Sequence, residues 1–198
     1  MNRTVTAVIL AGGRAQRMGE VDKGLQQLGG RSLAQWVIDR IEPQVDEILI
    51  SANRNLERYL EFGHPVLRDV LPGFAGPLAG LQVAMTQART ELVACVPCDT
   101  PLLPRDLVAR LTDALSATGA DVAVARTGTR THSVFCVCST SLHDNLAAFL
   151  ASGQRKVSAW HETLKVCYVE FDDNRDSFRN INTLAELHAL EWPQARHH

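Results

Sequence analysis

A cationic, glycine-rich segment follows the first apolar run of the chain. After TAVIL, the sequence LAGGRAQRMGEVDKGL places Gly12 and Gly13, then Arg14, Arg17 and Lys23. Glycine lets the backbone approach a ligand and exposes N–H donors, and the three cations add positive charge beside them. This combination predicts a phosphate-binding loop, with a solvated glycine turn as the alternative. Lys23 precedes a glycine, which excludes a Walker A motif, and the glycine spacing does not fit G-x-G-x-x-G.

A single acidic residue ends the most apolar run. Asp99 lies in PCDTP, directly after LVACV and between Pro97 and Pro101, which stiffen the chain. A buried carboxylate needs a partner, and a divalent cation that bridges phosphates would supply one. Capping of the next helix is the alternative interpretation. Because the first loop is predicted to hold phosphates, we favour a divalent metal site at Asp99.

Two further loops carry asparagines. In SANRN, the amide of Asn53 can donate to and accept from a base or ribose, or it can cap the following helix. In NINT, Asn182 offers a neutral oxygen to the same cation, and Thr183 is expected to cap the last helix.

Alternating apolar runs and helical patterns predict the elements that position these loops. Strands are expected over residues 6–10, 47–51, 65–67, 92–96, 122–125, 134–137 and 166–171. Helices are expected over residues 33–41, 56–62, 78–88, 105–117, 142–151 and 184–192. The alternation predicts a three-layer α/β/α fold with a mostly parallel mixed sheet. Ligands of such sheets lie beyond the carboxyl ends of the strands, where these loops fall.

Composition limits the classes of function. The 198 residues are 45% hydrophobic and 21% charged with a net charge of −2, which suits one globular domain over residues 1–196. A net charge this small provides no field that recruits nucleic acid. No apolar stretch approaches the roughly 18 residues of a membrane span. We expect a cytoplasmic monomer without nucleic-acid or membrane partners, and we interpret His197 and His198 as a tag remnant.

The cysteines are interpreted as structural. Five is an odd number, which argues against a secreted disulfide framework. Cys95 and Cys98 form a C-x-x-C, and Cys136 and Cys138 form a C-x-C, so a zinc or redox site is the alternative. Because most of these thiols fall within strand-like runs, we predict that the cysteines serve as small, buried apolar side chains.

Together the motifs resemble the molybdenum cofactor guanylyltransferases, the MobA family of the nucleotidyltransferase superfamily. LAGG-x-x-x-RMG-x-x-DKGL, GPLAG, PCDTP and NINT occur in this order and span nearly the whole chain. The first part is shared with cytidylyl- and sugar nucleotidyltransferases, whereas the combination is more specific. Relatives that use CTP or UTP commonly show LAAG in place of LAGG, so the double glycine favours guanine.

The resemblance implies residue roles on a Rossmann-like fold, with nucleotide bound by the N-terminal part and molybdopterin by the C-terminal part. The implied nucleotide contacts are Leu10, Ala11, Gly12, Gly13, Lys23, Ser51, Asn53, Asp69 and Asp99. Which of Ser51 and Asn53 contacts the nucleotide stays open. The implied catalytic residues are Arg17, Lys23, Asp99 and Asn182, of which Asp99 and Asn182 would hold Mg²⁺. The implied molybdopterin contacts are Asn180, Asn182, Arg155 and Lys156. For Arg155 and Lys156 in GQRKV, a solvated charge pair is the alternative.

The implied reaction transfers GMP from GTP to the terminal phosphate of the molybdenum-bearing molybdopterin. The implied protein partners are molybdenum-insertion proteins and molybdoenzyme chaperones. Two alternatives remain: a cytidylyltransferase that uses CTP, and a non-catalytic GTP-binding sensor. The sequence presents no convincing general base; His132 either orients substrate or is a solvated loop residue.

Overall fold

The computed structural model describes residues 4–11, 22–69 and 76–179. Its strands are β1 (Val5–Leu10), β2 (Gln27–Leu28), β3 (Arg31–Ser32), β4 (Glu47–Ser51), β5 (Val66–Leu67), β6 (Leu92–Pro97), β7 (Val122–Thr127), β8 (Arg130–Ser139) and β9 (Val166–Glu170). Its α-helices are α1 (Leu33–Ile41), α2 (Leu56–Leu60), α3 (Pro77–Gln87), α4 (Leu107–Thr118), α5 (His143–Ala151) and α6 (Val157–His161). Short 3₁₀ turns cover Lys23–Leu25, Glu42–Gln44, Thr140–Leu142 and Asp172–Phe178.

One seven-stranded sheet organises the chain, in the order β5-β4-β1-β6-β8-β7-β9. Within that sheet only β8 runs antiparallel to its neighbours, β6 and β7. The predicted mostly parallel mixed sheet is therefore confirmed. β2 and β3 form a separate small hairpin.

Helices cover both faces of the sheet. Side chains of a strand alternate between its faces, so Ala7 and Ile9 join the apolar cluster of α1 and α4. Val8, between them, joins the cluster of α3, α5 and α6. Ser32 caps α1 as predicted, because its hydroxyl accepts a hydrogen bond from the backbone N–H of Gln35 at 3.2 Å. The three-layer arrangement follows from these two cores.

The structure differs from the predicted elements mainly at β8. The prediction covered only its apolar centre at residues 134–137, but pairing with β7 extends the strand back to Arg130 through the polar residues RTHS. The short α6 and the β2–β3 hairpin were not predicted. The helix predicted over residues 184–192 lies outside the described residues.

Four of the five cysteines are buried as predicted, and Cys167 is partly buried. Cys95, Cys98, Cys136 and Cys138 are buried free thiols, and Cys95 and Cys136 are partners across β6 and β8. Within residues 4–11, 22–69 and 76–179, no group of three or more His, Cys, Asp or Glu side chains is placed to hold a metal ion. This arrangement supports packing as their role.

No helix within the described ranges is long and apolar enough to cross a bilayer. The cytoplasmic placement stays a prediction.

Candidate active site

The carboxyl ends of β1, β4 and β6 lie side by side. Leu10 at the end of β1 is in register with Ser51 of β4 and Pro97 of β6. The backbone N–H of Ala11 donates to the Ser51 carbonyl at 2.8 Å, and that of Cys98 donates to the Leu10 carbonyl at 3.1 Å. Three of the predicted site loops therefore start from one edge of the sheet. Gly12, Gly13, Arg14 and Arg17 lie outside the described residues.

Asp99 is a buried carboxylate at this edge, 8% exposed. Its Oδ2 lies 3.7 Å from the Lys23 ammonium. Its Oδ1 is buried and accepts no hydrogen bond from the residues described. Burial raises the pKa of Asp99 above its ordinary value, and the Lys23 charge opposes that rise.

This environment fits a divalent cation. An unused carboxylate oxygen in a desolvated position is stabilised by a hard cation, which would take oxygen ligands from Asp99 and from phosphates. The second predicted ligand, Asn182, lies outside the described residues, as does Asn180. The structure thus brings Lys23 and Asp99 together. The buried carboxylate supports the prediction that Asp99 is a metal ligand.

Lys23 is carried by a tightly packed 3₁₀ turn. A Cβ added to Gly24 would lie 2.5 Å from the Tyr59 hydroxyl and 3.0 Å from Cys98 Sγ. Only glycine therefore lets the turn pack against α2 and against the residue that precedes Asp99. This close packing of the turn also places the Lys23 side chain next to the Asp99 carboxylate.

Ser51, Asn53 and Asp69 form a second polar group at the same edge. Asn53 Nδ2 donates to Asp69 Oδ2 at 2.8 Å, and the Asp69 backbone N–H donates to Asn53 Oδ1 at 3.0 Å. The Ser51 hydroxyl donates to Asp69 Oδ1 at 3.4 Å. Asn53 does not cap α2, so the capping alternative is wrong. These reciprocal bonds orient the Asp69 carboxylate and the Asn53 amide as one unit.

The GPLAG motif brings α3 against the strand ends. Gly76 has φ of 79°, a conformation that favours glycine, and Pro77 begins α3. A Cβ on Gly80 would lie 2.5 Å from Ser51 Oγ and 2.7 Å from Leu10 Cδ2. The glycines of this motif therefore serve the turn into α3 and the close approach of α3 to β1 and β4.

Arg155 and Lys156 lie in an exposed segment beside α3. A Cβ on Gly76 would lie 3.9 Å from the Arg155 carbonyl oxygen, so this segment borders the start of α3. The Arg155 guanidinium donates to the carbonyls of Leu150 at 2.7 Å and Gln154 at 2.6 Å. Lys156 is exposed and immediately precedes α6. Their proposed role toward an acceptor phosphate stays a prediction.

His132 is not a solvated loop residue, which corrects one of the two interpretations of this side chain. It is 8% exposed and stacks on Phe178 with ring centroids 4.4 Å apart. Its Nε2 lies 2.8 Å from the Thr127 hydroxyl. Burial, with a smaller contribution from Arg130, lowers the pKa of His132 to about 4, so the ring is neutral at pH 7.

Sequence reasoning missed three residues next to the site: Asp22, Asn55 and Tyr59. The Tyr59 hydroxyl donates to Asp22 Oδ1 at 2.6 Å, and Asn55 Nδ2 donates to Asp22 Oδ2 at 2.9 Å. Asp22 is adjacent to Lys23 and was visible within the DKG motif. Tyr59 has the spacing of an ordinary core residue of an amphipathic helix, and no local pattern marked its partner.

A mostly parallel sheet with a lysine–carboxylate pair at its carboxyl edge is typical of nucleotide-binding α/β proteins. Solved structures share the fold. The molybdopterin-guanine dinucleotide biosynthesis protein A of Archaeoglobus fulgidus has a TM-score of 0.76 at 23% identity, over 93% of this chain and 95% of that chain. The 2-C-methyl-D-erythritol 4-phosphate cytidylyltransferase of Thermus thermophilus has a TM-score of 0.68 at 18% identity, over 95% and 96%. These similarities identify the fold as that of the nucleotidyltransferases.

Residues 7–165 match the family model described as the MobA-like NTP transferase domain. The chain therefore belongs to the MobA-like NTP transferase family. It is 53% identical over 196 residues to the molybdenum cofactor guanylyltransferase of Burkholderia lata, covering 94% of this chain and 95% of that relative. It is 48% identical over 183 residues to the protein of the same name from Shewanella sp. strain MR-4, covering 92% and 93%. The predicted resemblance is confirmed.

Proposed function

We propose that the chain transfers GMP from GTP to the terminal phosphate of molybdenum-molybdopterin and releases pyrophosphate. Two relatives near 50% identity are named molybdenum cofactor guanylyltransferase, which supports the nature of both substrates. The observation that carries the chemistry is the buried Asp99 carboxylate beside Lys23, one oxygen of which has no hydrogen-bond partner among the residues that the structure describes.

In the proposed reaction an oxygen of the molybdopterin phosphate attacks the α-phosphorus of GTP. A bond forms between that oxygen and the α-phosphorus, and the bond from the α-phosphorus to the oxygen that bridges to the β-phosphate breaks. Pyrophosphate leaves with the electron pair. A phosphomonoester has a second pKa near 6, so the attacking phosphate is largely dianionic at neutral pH and needs no general base.

The chain then has to align two anions and offset their repulsion. Lys23 supplies a positive charge at the strand ends, and Arg17 is proposed to add a second charge. Asp99 and Asn182 are the proposed ligands of Mg²⁺, which when bound would neutralise part of the triphosphate charge. Arg155, Lys156 and Asn180 are proposed to contact the molybdopterin. Leu10, Ala11, Gly12, Gly13, Ser51, Asn53 and Asp69 complete the proposed nucleotide contacts.

The proposal also assigns the two substrates to different parts of the chain. The N-terminal part would bind nucleotide and the C-terminal part molybdopterin, within one domain over residues 1–196. A monomeric enzyme that receives its substrate from molybdenum-insertion proteins and delivers product to molybdoenzyme chaperones completes the proposal.

The direct test supplies molybdopterin and one Mg·NTP at a time and identifies the dinucleotide formed. We expect the guanine dinucleotide and pyrophosphate with GTP, and no product with Asp99→Ala. A cytosine dinucleotide from CTP would overturn the choice of base. Binding of GTP without pyrophosphate release would indicate a sensor. Thermal unfolding with GTP or CTP gives an independent measure, because ligand at 100 times its Kd stabilises a protein by about 2.7 kcal/mol.

A further inference from the structure

The carboxylate of Asp22 is held at both oxygens by α2. Oδ1 accepts from the Tyr59 hydroxyl at 2.6 Å and Oδ2 accepts from Asn55 Nδ2 at 2.9 Å. Two separate donors fix both the position and the rotation of the carboxylate, because each bond restrains a different oxygen. Asp22 immediately precedes Lys23, so these bonds anchor the start of the 3₁₀ turn Lys23–Leu25.

Tyr59 makes its contact with Asp22 from a fully buried position. The side chain is 0% exposed. Burial, together with the neighbouring acidic groups Cys98 and Asp22, raises the pKa of Tyr59 far above its ordinary value, so the hydroxyl stays a donor. The hydroxyl would lie 2.5 Å from a Cβ on Gly24. It therefore contacts the turn on both sides of Lys23.

Asn55 departs from its usual local role. It has φ of 51°, a left-handed conformation adopted by no other non-glycine residue in the described ranges. It stands at the N-cap of α2, yet its side chain does not cap the helix. An asparagine at this position commonly stabilises a helix by capping it. Its amide bonds Asp22 instead, and such a local departure is expected where another requirement dominates.

We propose that Tyr59 and Asn55 are positioning residues that act through Asp22 to hold the Lys23 ammonium where it meets the phosphates of the nucleotide. The inference rests on the proposed function, since it takes Lys23 as a phosphate contact. Lys23 is a flexible side chain, 32% exposed. The position of its ammonium depends on the ion pair with Asp99 and on how firmly its backbone is held. Asp22 and Gly24 hold that backbone against α2 and Cys98.

A double-mutant cycle on nucleotide affinity tests the inference. The Kd of Mg·GTP is measured by calorimetry for the unmodified chain, Tyr59→Phe, Lys23→Met and the double variant. If Tyr59 acts through Lys23, Tyr59→Phe weakens binding about fivefold in the unmodified chain and less than about twofold in the Lys23→Met background. A merely structural role of Tyr59 predicts equal weakening in both backgrounds, which would overturn the inference.

Asn55→Gly provides a second variant for the same cycle. Glycine permits the left-handed backbone and removes the side chain that carries the amide, so the loss of affinity reports the bond to Asp22. Should Tyr59→Phe unfold below the assay temperature, Asn55→Gly supplies the comparison, again in both backgrounds. The matched control is Tyr168→Phe, at the other of the two tyrosines, which is 48% exposed on β9. It should leave the Kd unchanged.

The cycle also separates the two proposals. If Lys23→Met weakens binding but Tyr59→Phe is additive with it, the positioning role fails and the phosphate role of Lys23 stands. If Lys23→Met leaves the Kd of Mg·GTP unchanged, both the phosphate role and the positioning role are wrong.

Discussion

The Lys23 ammonium lies 3.7 Å from Oδ2 of Asp99, while Oδ1 of the same carboxylate is buried without a hydrogen-bond partner among the residues described. Burial favours the neutral acid, and the lysine charge opposes it. The carboxylate is therefore only partly compensated. Residues that carry out chemistry commonly cost stability in this way, because they are arranged for a ligand that the free protein lacks.

The first prediction concerns stability at this carboxylate. Because the folded pKa of Asp99 is raised, the folded protein binds more protons than the unfolded chain between the ordinary pKa and the raised one. The contribution of Asp99 to the free energy of unfolding therefore falls as pH rises between these two pKa values. Asp99→Asn removes this dependence, so we expect the variant to be the more stable at pH 7. Urea unfolding from pH 7 to pH 4 should show the difference shrinking toward acid.

A variant that is less stable than the original chain at pH 7 would contradict this account. Lys23→Met is the variant to compare with Asp99→Asn, because it removes the compensating positive charge and keeps the Asp99 carboxylate. We expect Lys23→Met to lower the stability at pH 7, the opposite direction from Asp99→Asn.

The second prediction concerns the contact of α3 with the strand ends. Gly80→Ala places a methyl group 2.5 Å from Ser51 Oγ and 2.7 Å from Leu10 Cδ2. Overpacking of this kind typically costs about 1–3 kcal/mol. We expect a loss in that range by urea unfolding. Ser51→Ala in the same chain should restore part of the loss, and Ser51→Ala alone is the control. A fully stable Gly80→Ala variant would show that α3 is free to shift.

The third prediction is a pH dependence from His132. The pKa of His132 is about 4 in the folded chain, against about 6.5 for a free histidine. The folded protein binds fewer protons between these values, so its free energy of unfolding falls as pH drops from about 6.5 toward 4. His132→Gln should flatten this acid-side loss. The matched control is His143→Gln, at the partly exposed histidine that begins α5, and the same acid loss with both variants would refute the assignment.

The fourth prediction treats Asn53 and Asp69 as one unit of the nucleotide site. Their two reciprocal hydrogen bonds mean that loss of either side chain frees the other. We expect Asn53→Ala and Asp69→Ala each to weaken Mg·GTP binding about tenfold, with the double variant no worse than about twentyfold. Asn174→Ala, at a partly exposed residue of the turn Asp172–Phe178, is the control. Fully additive losses would mean that the two side chains bind independently.

Local features of the sequence indicate candidate site residues where a single side chain carries the signal. Asp99 stands out as an acid that ends an apolar run, and Lys23 as a cation after glycines. Tyr59 carries no such signal, because its hydrogen bond joins it to Asp22 across a separation of 37 residues. The same holds for the start of β8, whose polar residues become a strand only because β7 pairs with them. Contacts that exist only after folding leave no local periodicity to read.

The order of the sheet has a consequence for how the protein is made. β6 carries the backbone that leads to Asp99, and it pairs with β1 on one side and β8 on the other. While the ribosome is still synthesising residues 130–139, β1 is available to β6 but β8 is not. The backbone N–H and C=O groups along one edge of β6 are then unpaired, and such edges are where growing chains associate wrongly. We therefore expect β6, the strand that leads to Asp99, to be open to wrong pairing until β8 has been synthesised.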